Sequence, residues 1–385
     1  MKTAAIRSWA VAAVAAAILA ACGGGGGDTT PRQTVSAVKV FGDSLADVGT
    51  FGLKFTVQAA DTRIYPERIA LAYGLSAGCP FFKFNGATFV PNPTAGCTNY
   101  AIGGGVINGA SGGLTAADPR IVGVQIAAAT AAGNFAAGDL LVIDGGGNDA
   151  ASLVGAYLNA AKDGGASYVA LIGTLLTPAQ VGAAAAGGQA GLATAGSQYM
   201  TALAGSFYTS IKVGVLDKGA QRVLLINLPP VTSTPRFQTV LDGIAAASGG
   251  GAAGATARAQ SEALFRGWVS AFNTELARRA AGDGRVAMFD AAKSIDDVVG
   301  APSQYAVSNA KTPACPIKGL GSDGLPTYDF ATCTDAALAA APPVGVTGSS
   351  WWRSYYFSDG FHPSPYGHQL AYQGMAKVLA DAGWL

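Results

Sequence analysis

Apolar residues in this chain gather into short runs separated by longer, mostly alanine-rich segments. Val38, Val40 and Phe41 form one such run within residues 36–42, and Gly42 cuts it off. An apolar, β-branched run ended by glycine is the pattern of a buried strand entering a turn. Residues 139–144, D-L-L-V-I-D, read as a second buried strand, and residues 222–228, R-V-L-L-I-N-L, as a third, closed by Pro229-Pro230. Residues 285–290 supply the last strand, and residues 99–102 a short one. Residues 64–73, 121–132, 198–219 and 257–281 read as helices, the first opening Y-P-E-R with Pro66 in its first turn. Ser364 caps a final helix with Pro365 at its first position and Leu370, Gly374 and Val378 along one side. Strands alternating with helices predict an α/β domain with a parallel sheet covered by helices on both faces.

A length of 385 residues alone suggests two domains. The alternation runs to the end of the chain, so residues 36–385 read as one domain with insertions near 150–197 and 300–351. The Ala/Gly stretch 182–196 is of low complexity and not hydrophobic enough to span a membrane. The formal charge is +1 and only 12% of residues are charged, which leaves no basic patch for nucleic acid. The two histidines, and the lack of Cys-x-x-Cys or His-Glu-x-x-His, argue against a metal site. The glycine runs lack G-K-[ST], so no P-loop and no cofactor is expected.

The first 21 residues have a basic start (Lys2, Arg7) and an Ala-rich apolar core, the pattern of a secretory signal. Their end, Leu19-Ala20-Ala21-Cys22, resembles a bacterial lipobox, which implies lipid on Cys22 and a membrane anchor. Residues 22–35, with Gly23 to Gly27, read as a flexible tether. Gly23 in place of Asp after the cysteine implies the outer membrane; periplasmic or secreted locations are the alternatives. Four further cysteines in an exported chain suggest two disulfides. Of three connectivities, the local pairs Cys79–Cys97 and Cys315–Cys333 are expected, since each clips one loop-like segment.

Ser44 falls just past the first strand, where the crevice outside the carboxyl ends of a parallel sheet binds ligands. A serine hydroxyl becomes a nucleophile when a base takes its proton. Of the histidines, His362 stands in S-D-G-F-H-P, with Asp359 three residues before it. That spacing sets a carboxylate beside an imidazole on one turn, where it fixes the tautomer. Two more glycine turns follow strand-like segments. One, N-Y-A-I-G-G-G, contains Gly104; the other, D-G-G-G-N-D, contains Asn148. Bare backbone N–H groups and a side-chain amide are the donors a tetrahedral oxyanion needs.

Gly42-Asp43-Ser44-Leu45, N-Y-A-I-G-G, G-G-N-D and D-G-F-H-P occur in that order. Together they resemble the four sequence blocks of the GDSL, or SGNH, esterase/lipase family. P-E-R-I-A, N-L-P-P and D-D-V-V-G-A-P-S-Q-Y resemble its larger lipolytic members. The resemblance implies a three-layer α/β/α sandwich of the SGNH-hydrolase, flavodoxin-like type. It also implies Ser44 as nucleophile, His362 as base and Asp359 as the orienting acid. The N–H groups of Ser44 and Gly104 and the Asn148 side chain would form the oxyanion hole. The expected substrate is a small-molecule or lipid ester. His368 has no matching role.

Gly109-Ala110-Ser111-Gly112-Gly113 spells the nucleophile elbow G-x-S-x-G, yet lies in a glycine-rich loop with no buried strand before it. A catalytically silent surface lipoprotein that binds glycan or lipid is the reading from another class, and acyl transfer is a variant of the same chemistry. Phe81, Phe82, Phe84, Trp351, Trp352, Tyr355 and Tyr356 are candidates for an apolar acyl wall, with a core role the alternative.

Overall fold

A computed structural model describes residues 34–131 and 133–385 of the chain. The signal segment 1–21, Cys22 and the tether as far as residue 33 lie outside the described residues. The elements, in order, are β1 (Ala37–Phe41), α1 (Tyr65–Ala72), β2 (Phe82–Phe84), β3 (Phe89–Pro91), α2 (Val122–Thr130) and β4 (Asp139–Ile143). Four helices follow: α3 (Gly147–Asp163), α4 (Ala166–Ile172), α5 (Pro178–Ala186) and α6 (Gly188–Gly214). Next come β5 (Val223–Ile226), α7 (Pro235–Ala247), α8 (Gly251–Ala280), β6 (Val286–Phe289) and α9 (Ala291–Gly300). A small ribbon of β7 (Gly319–Leu320) and β8 (Pro326–Thr327), α10 (Asp335–Ala340) and α11 (Pro365–Asp381) complete the chain.

The central sheet has the order β1-β4-β5-β6 and every pair is parallel. The side chains of β4 are fully buried and alternate between two cores. Leu140 and Val142 meet Tyr65 and Ile69 of α1 and Met375 and Leu379 of α11. Leu141 and Ile143 meet the larger cluster, which takes in Phe207 of α6 and Phe272 of α8. Burying one such side chain contributes about 1.5–3 kcal/mol. Helices therefore cover both faces, and the fold is the expected α/β/α sandwich.

On the far side of β1, residues 98–100 run parallel to it. Tyr100 N–H donates to the Val40 carbonyl (2.7 Å) and Val40 N–H to the Thr98 carbonyl (3.1 Å). The short strand expected at 99–102 is thus reduced to isolated bridges, because Asn99 uses its side chain to hold the Ala46 carbonyl and the Ala101 N–H. The chain leaves β1 toward one neighbour and returns through β4 on the other side. That makes the carboxyl end of β1 the topological switch point, where open parallel sheets bind ligands.

Three expectations need correction. The helix read over 198–219 begins ten residues earlier, at Gly188, and the Ala/Gly stretch before it belongs to α5 and α6. Its lack of bulk serves packing. A Cβ on Gly196 would lie 2.2 Å from the Trp268 ring, whose Nε1 donates to the Ala193 carbonyl (2.9 Å). The turn at 144–149 is the start of α3, a helix that runs on into the segment expected as an insertion near 150–197. In α11, Ser364 caps through the Tyr366 and Gly367 N–H groups as expected, yet the fully buried positions are Gly367, His368, Met375 and Leu379. Leu370, Gly374 and Val378 flank that face, half-buried. The disulfides pair Cys79 with Cys97 and Cys315 with Cys333, and the second closes the 300–351 insertion beside β7 and β8.

The α6–α8 contact yields a contrast in stability. Gly196→Val forces Trp268 out of place and should cost about 1–3 kcal/mol. Gly155→Ala, at an open helical position, should gain up to about 1 kcal/mol. Urea unfolding of the two variants beside the parent measures both.

Candidate active site

Phe41 ends β1, and the next residues are gripped by groups from three other elements. Gln125 of α2 holds Gly42 through both amide atoms, accepting from its N–H (2.8 Å) and donating to its carbonyl (2.9 Å). Asp144, at the end of β4, accepts the Asp43 N–H (3.0 Å) and the Tyr65 hydroxyl of α1. Gly42 has φ +153°, and a Cβ there would fall 1.6 Å from the Asp144 carboxylate. Asp43 closes the turn by accepting the Leu45 N–H (2.9 Å). These grips leave Ser44 half-buried at the mouth of the crevice.

The partner loop comes from the other end of the chain. Phe357 and Pro363 pair antiparallel, and the Ser358 N–H donates to the His362 carbonyl (2.8 Å). Inside that loop Asp359 Oδ1 accepts the Phe361 N–H (2.8 Å) and the His362 N–H (2.6 Å). The Ser358 hydroxyl anchors the loop to residues 56–57, bonding Thr56 Oγ1 (2.9 Å) and the Val57 N–H (3.1 Å). The result is a row of three side chains: Ser44 Oγ to His362 Nε2 at 2.7 Å, and His362 Nδ1 to both Asp359 oxygens at 2.9 Å.

Electrostatics separate the two histidines. Burial pushes the His362 imidazole down, but the Asp359 charge and hydrogen bond, with Asp43 behind them, outweigh it and hold its pKa above 6.5. For Asp359 burial pushes up and the imidazolium and its hydrogen bonds win, so its carboxyl stays below the usual range. His368 is buried and near cationic groups, including His362, and is pushed down to about 3. It stays neutral, its ring tilted against that of Tyr65 at 6.0 Å. Burial and the charge of Asp43 raise Asp144 well above the carboxylate range.

The glycine turn at 103–105 packs on the turn that carries Ser44. A Cβ on Gly105 would lie 2.6 Å from the Gly42 carbonyl. Gly103 N–H donates to Asp47 (2.9 Å) and Gly105 N–H to the Ile102 carbonyl (2.9 Å). The Gly104 N–H, at φ +77°, donates to no group among the described residues, and neither does the Ser44 N–H. Asn148, in the first turn of α3, spends one amide proton on the Gly105 carbonyl (2.8 Å) and keeps the other. The positive end of the α3 dipole lies in that turn.

Sequence reasoning missed Gln125, Asp47 and Asp144, which hold backbone groups, and Tyr65, which holds the Asp144 carboxylate; none carries a local motif. Most of the aromatic candidates take the core alternative. Trp351, Trp352 and Tyr355 are buried in a core of their own with both cysteines of the insertion, Tyr356 is buried beside Phe357, and Phe82 is in the large core. Phe81 stacks on Tyr100, and Phe84 is exposed. The rings around His362 are Phe55, Phe330 and Phe361. Ser111 donates to Asp149, whose carboxyl burial lifts to about 6, and to the Asn108 carbonyl, so the elbow-like spelling meets no histidine.

A parallel α/β/α sandwich thus carries a serine, a histidine and an aspartate in a row at its switch point. The chain belongs to the GDSL-like lipase/acylhydrolase family, whose sequence profile matches residues 38–375. No curated protein matches the chain.

The crowding at Gly42 is testable. Gly42→Ala should cost more than about 2 kcal/mol, since it adds backbone strain of roughly 1–3 kcal/mol to the lost Asp144 contact. Combined with Asp144→Ala it should cost clearly less than the sum of the single changes. Denaturant midpoints of the four proteins in that cycle give the coupling.

Proposed function

We propose that the protein hydrolyses carboxylic esters through an acyl-enzyme on Ser44. The observation that carries this reading is the unbroken row from Ser44 Oγ to Asp359, with two unspent N–H groups beside it. His362 Nε2 takes the Ser44 proton as Oγ attacks the carbonyl carbon. Asp359 holds Nδ1–H and steadies the imidazolium. The carbonyl oxygen gains charge as it becomes tetrahedral and is met by the N–H groups of Ser44 and Gly104 and the free proton of Asn148. His362 then protonates the leaving alcohol. Water, activated by the same histidine, releases the acid. A silent binding protein has no use for this hydrogen-bond row, which favours the enzymatic reading over it. An alcohol in place of water would turn the second half into acyl transfer.

Ser44→Ala and His362→Ala should each nearly abolish turnover, and His368→Ala should leave it in the folded fraction. Activity needs neutral His362, so kcat/KM should rise with pH through a value above the ordinary ~6.5. The same elevation stabilises the fold fully below about pH 6.5, and that contribution fades as pH climbs through the folded-state pKa. A pH–rate profile with its midpoint below 6 would contradict the pairing of His362 with Asp359.

Asn148 is aimed at charge that exists only in the transition state. Asn148→Ala should lower kcat by roughly 10²- to 10³-fold and change KM little. Turnover per phosphonate-titrated site, measured beside a melting curve, separates this from a mere loss of the turn before α3.

A further inference from the structure

Phe51 and Phe55 lie on the loop that follows the nucleophile turn, and Phe84 and Phe89 face each other across the β2–β3 hairpin. The hairpin is tied to the loop by the Phe84 N–H, which donates to the Thr50 carbonyl (2.9 Å). Phe55 stacks on His362 at 5.3 Å, and Phe51 follows at 5.9 Å from Phe55. Phe84 and Phe89 come next, at 5.4 and 5.7 Å from Phe51. The strip starts at the oxyanion side too. A Cβ on Gly103 would lie 2.2 Å from the Phe55 ring and 3.1 Å from Phe51, so the bare glycine lets both rings lie against the turn that carries Gly104. Its outer end faces solvent, with Phe51 36% and Phe84 38% exposed. Hairpin alternation sends Lys83 to the opposite face, and Arg120, paired with Asp118, closes the far end over Phe89.

We propose that this strip of rings, from Phe55 through Phe51 to Phe84 and Phe89, is the binding face for the apolar chain of the substrate ester. It rests on the hydrolase reading above. An ester carbon bonded to Ser44, with its oxygen at the Gly104 N–H, sits where the strip begins. A chain leaving that carbon or the leaving oxygen meets Phe55 first and then Phe51. Exposed aromatic patches of this kind mark binding surfaces. The strip selects long chains over acetyl groups, and it acts on an open face rather than in a closed tunnel.

The test uses two series, p-nitrophenyl esters from acetate to decanoate and acetates of short to long alcohols, on the parent, Phe84→Ser and Phe51→Ser/Phe84→Ser. Val213→Ser, an exposed apolar change at the end of α6, serves as control. Each buried CH₂ is worth about a fourfold preference, so loss of two rings should lower the decanoyl-to-acetyl ratio of kcat/KM by roughly tenfold or more in the series whose chain uses the strip. The series that loses its slope tells acyl from alcohol, and Val213→Ser should change neither. A second reading needs no turnover: decanoate binding to the Ser44→Ala protein, followed by calorimetry, should weaken by roughly tenfold when Phe51 and Phe84 are replaced. Unchanged slopes in both series, or, where no turnover is found, unchanged decanoate affinity in folded protein, would overturn the proposal. Ring-dependent decanoate binding without Ser44-dependent turnover would instead remove the hydrolase reading and keep the strip.

Discussion

The arrangement depends on how the backbone of Gly42 and Asp43 is held. A strand end leaves peptide groups without ladder partners, and an unmet buried one costs about 1–3 kcal/mol. Here the amide of Gln125 meets both groups of Gly42, and Asp144 meets the N–H of Asp43. Tyr65 in turn holds Asp144. Helix α2 from one layer, the end of β4 from the sheet and α1 from the other layer thus converge on two residues. Ser44 inherits its position from this convergence and needs little from its own side chain. Only a residue without a Cβ fits at Gly42, since the Asp144 carboxylate occupies that space.

The same crowding shapes the charges. Asp43 and Asp144 share a buried site; burial raises both carboxyls, and the charge of Asp43 raises Asp144 further. Asp43 also faces His362, so that imidazole has carboxylates on two sides and its protonated form is favoured. His368, six positions on, is buried without such a partner and beside cations, and it moves the opposite way. One residue type in one stretch of chain carries two roles because burial is compensated in one case and not in the other.

The loops around the row are rigid for a related reason. Thr56 and Ser358 tie residues 50–58 to the loop that carries His362. Asp47 ties the start of that segment to Gly103. The aromatic rings therefore arrive at the histidine and at the glycine turn together, on a frame that is already fixed. The disulfide Cys315–Cys333 anchors the core of the insertion, and Phe330 from that core reaches the edge of His362.

Much of this was legible in the chain itself. The strands at 36–42, 139–144, 222–228 and 285–290 are short apolar runs, broken by Lys39 in the first, and bounded by glycine, proline or charge, so local pattern suffices. Ser44, Asp359 and His362 stand out because each sits in a turn whose spelling carries its geometry, and because histidine is so rare here. Gly104 was separable from Gly103 and Gly105 only in three dimensions, where its neighbours' N–H groups prove to be spent on Asp47 and Ile102. The start of α6 escaped notice because small residues blur periodicity; the purpose of Gly196 there, room for Trp268, exists only when α8 is laid against it. Gln125 and Asp144 bind backbone atoms, and Tyr65 binds the Asp144 carboxylate, far away in sequence, and no spacing rule encodes that. Local pattern and residue type suffice to place the strands of the central sheet along the chain and to single out Ser44, Asp359 and His362. The tertiary structure alone decided which donors remain free, which histidine can be charged and which rings meet the site, because each depends on what other parts of the chain bring within a few ångströms.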